Sequence, residues 1–409
     1  MRVSIRATTI QPCAPSSSSK PNPTFSPPES NTISPFNKSL LSWSVLNPHS
    51  AKCNYPKLGN KWKQYQGINH WEGLLDPLDD NLRFEILRYG HFVDAAYRSF
   101  DFDPSSSTYA TCLYSKNSLL TRCSMANYGY RLTKNLHATC GICMPAWISK
   151  VFKWTCTQSS WIGYVAICEN KKEITRLGRR DVVIAFRGTA TCLEWLENLR
   201  ATLTYLPDHV TAEEGGGAMV EKGFLSLYTS KTTTCASLQE VVREEIGRVI
   251  KTYKNEPLSI TLTGHSLGAA LAILSAYDIT ATFKKAPMVT VVSFGGPRVG
   301  NESFRKRLEQ SGTRILRIVN SDDVVPKVPG FVVNNDDVAI KGDVHIRGLS
   351  GWLQRRVEDM QFVYADIGEE LRLSNKEKIN VATCHDLKTY LHLVKSFVSS
   401  SCRKKSKIS

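Results

Sequence analysis

The sequence predicts an α/β fold: a mostly parallel central sheet flanked by helices and preceded by a helical N-terminal extension. Three observations predict it. Short apolar runs bounded by turn or polar residues recur from Trp161 onward in the 409-residue chain, helical stretches separate several of them, and no internal repeat is visible. Strands that alternate with helices favour a sheet covered on both faces.

Taken in order, residues 1–56 stand apart. They hold Ser16-Ser17-Ser18-Ser19 and the proline-rich Pro21 to Pro28, with Arg2, Arg6, Lys20, Lys38 and Lys52 against a single acid, Glu29. Such a segment buries too little apolar surface to fold, and its Ser-rich, acid-poor make-up is that of a transit peptide. A secretory signal would need an apolar core near the start, and none is present. Plastid targeting is the first expectation and mitochondrial the second.

Residues 57–160 read as a helical and irregular extension. From Trp62 to about Phe100, Leu82, Ile86, Leu87, Phe92, Val93 and Ala96 recur mostly at three- and four-residue intervals, and Asp79 or Asp80 can cap the helix. Asp101 to Ser160 is rich in Ser, Asn, Gly and Cys, so loops and short helices are expected there. Residues 161–398 form the expected core. Its strands are Trp161–Ile167, Val182–Phe186, Leu258–Thr263, Val289–Phe294 and Ile315–Val319, with helices at Leu238–Tyr253 and Ala269–Phe283. Residues 399–409 are a basic tail.

Composition narrows the function classes. No run of about 18 apolar residues occurs, so no transmembrane segment is expected. The formal charge is +15, and about +11 remains once residues 1–56 are set aside. That surplus favours an anionic partner such as a lipid surface. Nucleic acid is not expected, because Lys and Arg form no stripe interleaved with aromatics. Twelve cysteines are scattered, which reads as reduced structural thiols rather than a disulfide framework. Cys140-Gly141-Ile142-Cys143 is a CxxC without a second pair at ligand-like spacing, so no metal site is expected. No cofactor is expected either.

The chemistry centres on Gly264-His265-Ser266-Leu267-Gly268, which lies between a strand and a small-residue helix. That placement is the one expected of the nucleophile elbow of an α/β-hydrolase: flanking glycines would let the backbone pass closely, and the turn would present the Ser266 hydroxyl above a helix N-terminus. Serine needs a base, and the base an acid, in the chain order Ser, acid, His. Downstream histidines are His345, His385 and His392, and the acid is Asp322 or Asp323 after the strand ending at Val319. Spacing alone does not choose among them. The oxyanion needs two N–H donors: Leu267 follows the nucleophile, and Thr189 of Phe186-Arg187-Gly188-Thr189 ends another buried strand.

Together these residues resemble the class 3 lipases. The matching set is Phe186 to Thr189, Gly264 to Gly268, Ser293 to Asn301, Asp323-Val324-Val325-Pro326 and His385-Asp386-Leu387. Within that family, Trp62, Trp71 to Asp79 and Tyr89 to Phe92 resemble the extension of the plant class I phospholipases A1. The resemblance implies Asp323 as the acid and His385 as the base. It implies a lid near Leu193, Trp195 and Leu196, and a serine acylhydrolase of plastids. Such an enzyme would release the sn-1 fatty acid of polar glycerolipids, phosphatidylcholine or galactolipids, at the membrane surface. The alternatives are a triacylglycerol or small-ester lipase with the same triad, or a lipase-like lipid-sensing or scaffold protein.

Overall fold

The computed structural model describes residues 56–139, 159–189, 202–206, 217–328, 363–374 and 381–397. Seven strands build the main sheet: β1 (Tyr130–Ala138), β2 (Ser160–Cys168), β3 (Arg180–Phe186), β6 (Leu258–His265), β7 (Met288–Phe294), β8 (Arg314–Asn320) and β9 (Glu369–Leu373), in that spatial order. From β3 to β9 every pairing is parallel, while β1 and β2 add an antiparallel edge. Two three-residue strands, β4 (Leu203–Tyr205) and β5 (Met219–Glu221), form a separate ribbon.

Interior strands are buried along nearly their whole length because helices cover both faces. In β3, Val182, Ile184 and Phe186 join one core cluster and Val183 and Ala185 the other. The longer helices among the described residues are α1 (Asp80–Arg98), α2 (Lys171–Leu177), α3 (Lys222–Thr229), α4 (Leu238–Thr252), α5 (Leu267–Thr282), α6 (Glu302–Gln310) and α7 (Leu387–Ser396). Side chains of α3, α4, α5 and α6 belong to the first cluster, those of α1 and α7 to the second. Helix α5 is buried from Leu267 to Ile279, and its near-continuous run of small and aliphatic residues suits a helix without a solvent face. Helix α4 starts at a reciprocal cap between Ser237 and Glu240.

Helix α1 carries the apolar stripe expected of it. Its cap is Asp79, whose carboxylate accepts from the Asn81 and Leu82 N–H groups. Helix α1 packs on the sheet itself, against β2, β3, β6 and β7. A buried ionic cluster strengthens that join: Arg88 of α1 pairs with Glu85 at 2.6 Å and with Asp181, near the start of β3, at 3.1 Å.

One expectation fails. Within the stretch read as loops and short helices lies β1, nine residues long and paired to β2. Only Leu132, Leu136 and Ala138 of β1 are buried, and the register shifts twice along the pair. An edge strand with this dilute, interrupted alternation carries little periodic signal.

Candidate active site

Parallel register gathers the chemistry at one edge. Phe186 pairs with Gly264, His265 with Phe294, and Phe294 with Ile318, so β3, β6, β7 and β8 all end together. The loops after the carboxyl ends of such strands are where an α/β sheet presents its functional groups.

Ser266 follows β6 and caps α5, with φ 57° and ψ −128°. A non-glycine residue in this region is strained, and here the neighbours enforce it. Ser266 N–H donates to the Phe294 carbonyl at 3.0 Å. A Cβ on Gly268 would lie 2.5 Å from the Arg187 carbonyl oxygen, and one on Gly264 would collide with the Gly268 backbone. Both glycines are therefore required by close approach. Leu267 opens α5, where first-turn N–H groups have no acceptor within the helix.

The loop after β3 lies against this turn. A Cβ on Gly188 would stand 3.0 Å from that of Ser266. Next to it, the buried hydroxyl of Thr189 has no hydrogen-bond partner among the described residues. Arg187 is buried and pairs with no carboxylate among the described residues. Instead its guanidinium donates to the carbonyls of Trp161 (3.0 Å) and Gly188 (2.8 Å) and to Ser160 Oγ (3.1 Å), and it covers the Phe100 ring at 3.5 Å. Burial lowers its pKa to about 10, so it stays charged at neutral pH. In a trans peptide the C=O and the following N–H point oppositely. Holding the Gly188 carbonyl therefore turns the Thr189 N–H the other way.

The expected acid and base, Asp323 and His385, meet across 62 residues. His385 Nδ1 lies 2.6 Å from Asp323 Oδ2, and Tyr390 Oη donates to the same oxygen at 2.6 Å. Asp323 Oδ1 accepts from the Val325 N–H at 2.9 Å. Asp323 is fully buried, whereas Asp322 is exposed. A carboxylate only accepts, so His385 carries its proton on Nδ1 and, when neutral, offers Nε2 as a proton acceptor. Burial first, and the Asp323 charge second, hold the Tyr390 phenol well above its ordinary pKa, so it remains a donor.

Of the two downstream histidines among the described residues, His385 lies beside Asp323, while His392 is exposed on α7. His345 lies outside the described residues, as do Leu193, Trp195 and Leu196, Cys140 and Cys143, residues 1–55 and the basic tail. Sequence reasoning missed Tyr390, the part played by Arg187, and Tyr97 of α1. Tyr390 sits five residues past His385, but nothing in that spacing marks a partner for Asp323.

The lipase (class 3) family model matches residues 183–333. Phospholipase A(1) DAD1 of the Arabidopsis thaliana chloroplast is 63% identical over 358 residues, covering 85% of this chain and 78% of its own. The chain belongs to the plant class I phospholipases A1, a group of class 3 lipases. It is thereby a carboxylic ester hydrolase. Another chloroplast member, galactolipase DONGLE of A. thaliana, is 39% identical over 82% of this chain and 70% of its own. The kinship places this protein in the chloroplast, the first expectation from the composition of residues 1–56. A solved Rhizomucor miehei lipase with its propeptide is 17% identical, with TM-score 0.44, over 78% of this chain and 80% of that one. No described helix is long and apolar enough to cross a membrane.

Proposed function

We propose that this enzyme releases the sn-1 fatty acid of polar glycerolipids, phosphatidylcholine or galactolipids, through an acyl-enzyme on Ser266. The observation that carries the assignment is the buried Asp323–His385 hydrogen bond at the same sheet edge as the strained Ser266 turn. Ser266 Oγ attacks the ester carbonyl while His385 Nε2 takes its proton. Asp323 steadies the imidazolium without taking the proton itself. Negative charge on the carbonyl oxygen is met by the Leu267 and Thr189 N–H groups, assisted by the Thr189 hydroxyl and by the Arg187 charge behind the loop. Collapse expels the lysolipid alkoxide, which takes the proton from His385. Water then enters by the same base, and hydrolysis returns Ser266 and frees the fatty acid.

The substrate class is supported by the relatives, one named a phospholipase A(1) and one a galactolipase. The surplus of basic residues suits docking at a membrane surface. The test uses mixed-acyl phosphatidylcholine and galactolipid micelles with positional analysis of the products. Release from sn-1 that is lost in folded Ser266→Ala, by about 10⁴-fold or more, is the expected result. Predominant sn-2 release, or faster turnover of triacylglycerol than of every polar lipid, would refute the substrate reading. Full activity in Ser266→Ala would refute the nucleophile.

A further inference from the structure

Outside the triad, hydrogen bonds run unbroken from the oxyanion loop to the loop of the base. Gly188 N–H donates to Tyr97 Oη at 2.9 Å, Tyr97 Oη lies 2.8 Å from His265 Nδ1, and His265 Nε2 lies 2.7 Å from the His385 carbonyl oxygen. The chemistry of the ends fixes every direction. A backbone N–H can only donate and a carbonyl can only accept, so His265 carries hydrogen on Nε2. Burial, and next the nearby His385, hold the His265 pKa well below the ordinary imidazole range, so the ring is neutral and Nδ1 is bare. Tyr97 therefore donates to it. The His265 and His385 rings also lie 4.6 Å apart, centroid to centroid.

We propose that Tyr97 and His265 are positioning residues that hold the Gly188–Thr189 peptide in register with His385, making α1 part of the catalytic apparatus. The inference rests on the reading of Thr189 and His385 given above and goes beyond it. Tyr97 lies outside residues 183–333, the stretch that the family model recognises, so the preceding segment supplies a support that the matched stretch does not contain. The close fit of Gly188 agrees with this. A Cβ there would strike the Tyr97 hydroxyl, so glycine permits the contact. Oxyanion donors act only when aimed at where charge develops, and an error of a few tenths of an ångström in one peptide plane is felt in the rate. A phenylalanine at 97 would fill the same space and leave both Gly188 N–H and His265 Nδ1 without this hydroxyl.

The test uses the full-length enzyme on a soluble ester, p-nitrophenyl butyrate, with thermal unfolding as the fold control. Tyr97→Phe is expected to unfold within a few degrees of wild type and to lose roughly ten- to a hundredfold in kcat, with KM within about twofold, less than deleting an oxyanion donor outright. His265→Gln, which keeps one donor and one acceptor, should retain at least several-fold more kcat than His265→Leu. The double variant Tyr97→Phe/His265→Leu should be no slower than His265→Leu, because one continuous chain breaks only once. Wild-type kcat in Tyr97→Phe, a loss confined to KM, equal losses in the two His265 variants, or multiplying losses in the double variant would each overturn the proposal. If Tyr97→Phe does not fold, the His265 pair decides. Ser266→Ala in the same assay separates the two readings. Its inactivity beside a full-rate Tyr97→Phe refutes the hydrogen-bonded chain alone.

Discussion

Replacing Asp323 by asparagine changes one oxygen to NH₂ and leaves the shape nearly intact, which makes it a sharp probe of the acid. The buried amide has two orientations. With its oxygen toward the Val325 N–H, its NH₂ faces His385 Nδ1 and forces the hydrogen onto Nε2, so no base faces the serine. With the oxygen kept toward His385 and Tyr390, NH₂ meets the Val325 N–H at the 2.9 Å site, donor against donor. That leaves a buried N–H unpaired, at a cost of about 1–3 kcal/mol. The lost charge–imidazolium hydrogen bond adds about 1.5–3 kcal/mol. At 1.36 kcal/mol per decade, the sum corresponds to a loss of roughly 10² to 10⁴ in kcat. The exposed Asp322 should tolerate the same change within about twofold, as surface substitutions generally do. The assay is kcat on p-nitrophenyl butyrate together with the rate of labelling by a fluorophosphonate, on variants whose melting matches wild type. An Asp323→Asn enzyme within tenfold of wild type, or an Asp322→Asn enzyme equally impaired, would refute the assignment.

Two further outcomes follow from the geometry. Thr189→Val keeps the backbone donor and the shape but removes the buried hydroxyl, so kcat should fall roughly tenfold or more while Thr189→Ser stays near wild type; equal rates in the two variants would remove the hydroxyl from the mechanism. At the opposite end of the sheet, Asp181 accepts from Arg88, Tyr130 and Ser259, at 3.1, 2.8 and 2.8 Å. Burial acts to raise its pKa, and the Arg179 and Arg88 charges outweigh it, so the carboxyl is held below its ordinary range. A depressed carboxyl stabilises the fold above its unfolded pKa, about 3.9, and that stability is lost as pH falls through the folded value. Asp181→Asn should cost about 3–5 kcal/mol at pH 7 and flatten part of the acid limb in urea titrations taken from about pH 5 downward. An unchanged acid limb would show that Asp181 is not the group responsible.

How much of this was legible depends on how far apart the interacting residues lie. Ser266 was legible because the demand is local: a buried strand, two glycines where a Cβ would strike backbone, and a helix start fall within a few residues. The strands β3, β6, β7 and β8 were legible for the same reason, each being a short stretch rich in β-branched and aliphatic residues. The edge strand β1 was not, because half of what defines it is the register of β2. Choosing Asp323 over Asp322 and His385 over its rivals was beyond spacing, and the family resemblance named the pair that the fold brings within 2.6 Å. No pattern pointed to Tyr97, 168 residues from the His265 it contacts, or to Tyr390, 67 residues beyond Asp323. By itself the sequence determined the strand–turn–helix around Ser266, most of the order of strands and helices along the chain, and the charge of residues 1–56, since backbone sterics and apolar periodicity act over a turn or two. Tertiary structure alone decided which hydroxyl, carboxylate and imidazole share a hydrogen bond. Such bonds form only after the sheet has closed loops of dozens of residues, and their geometry depends on packing in both faces at once.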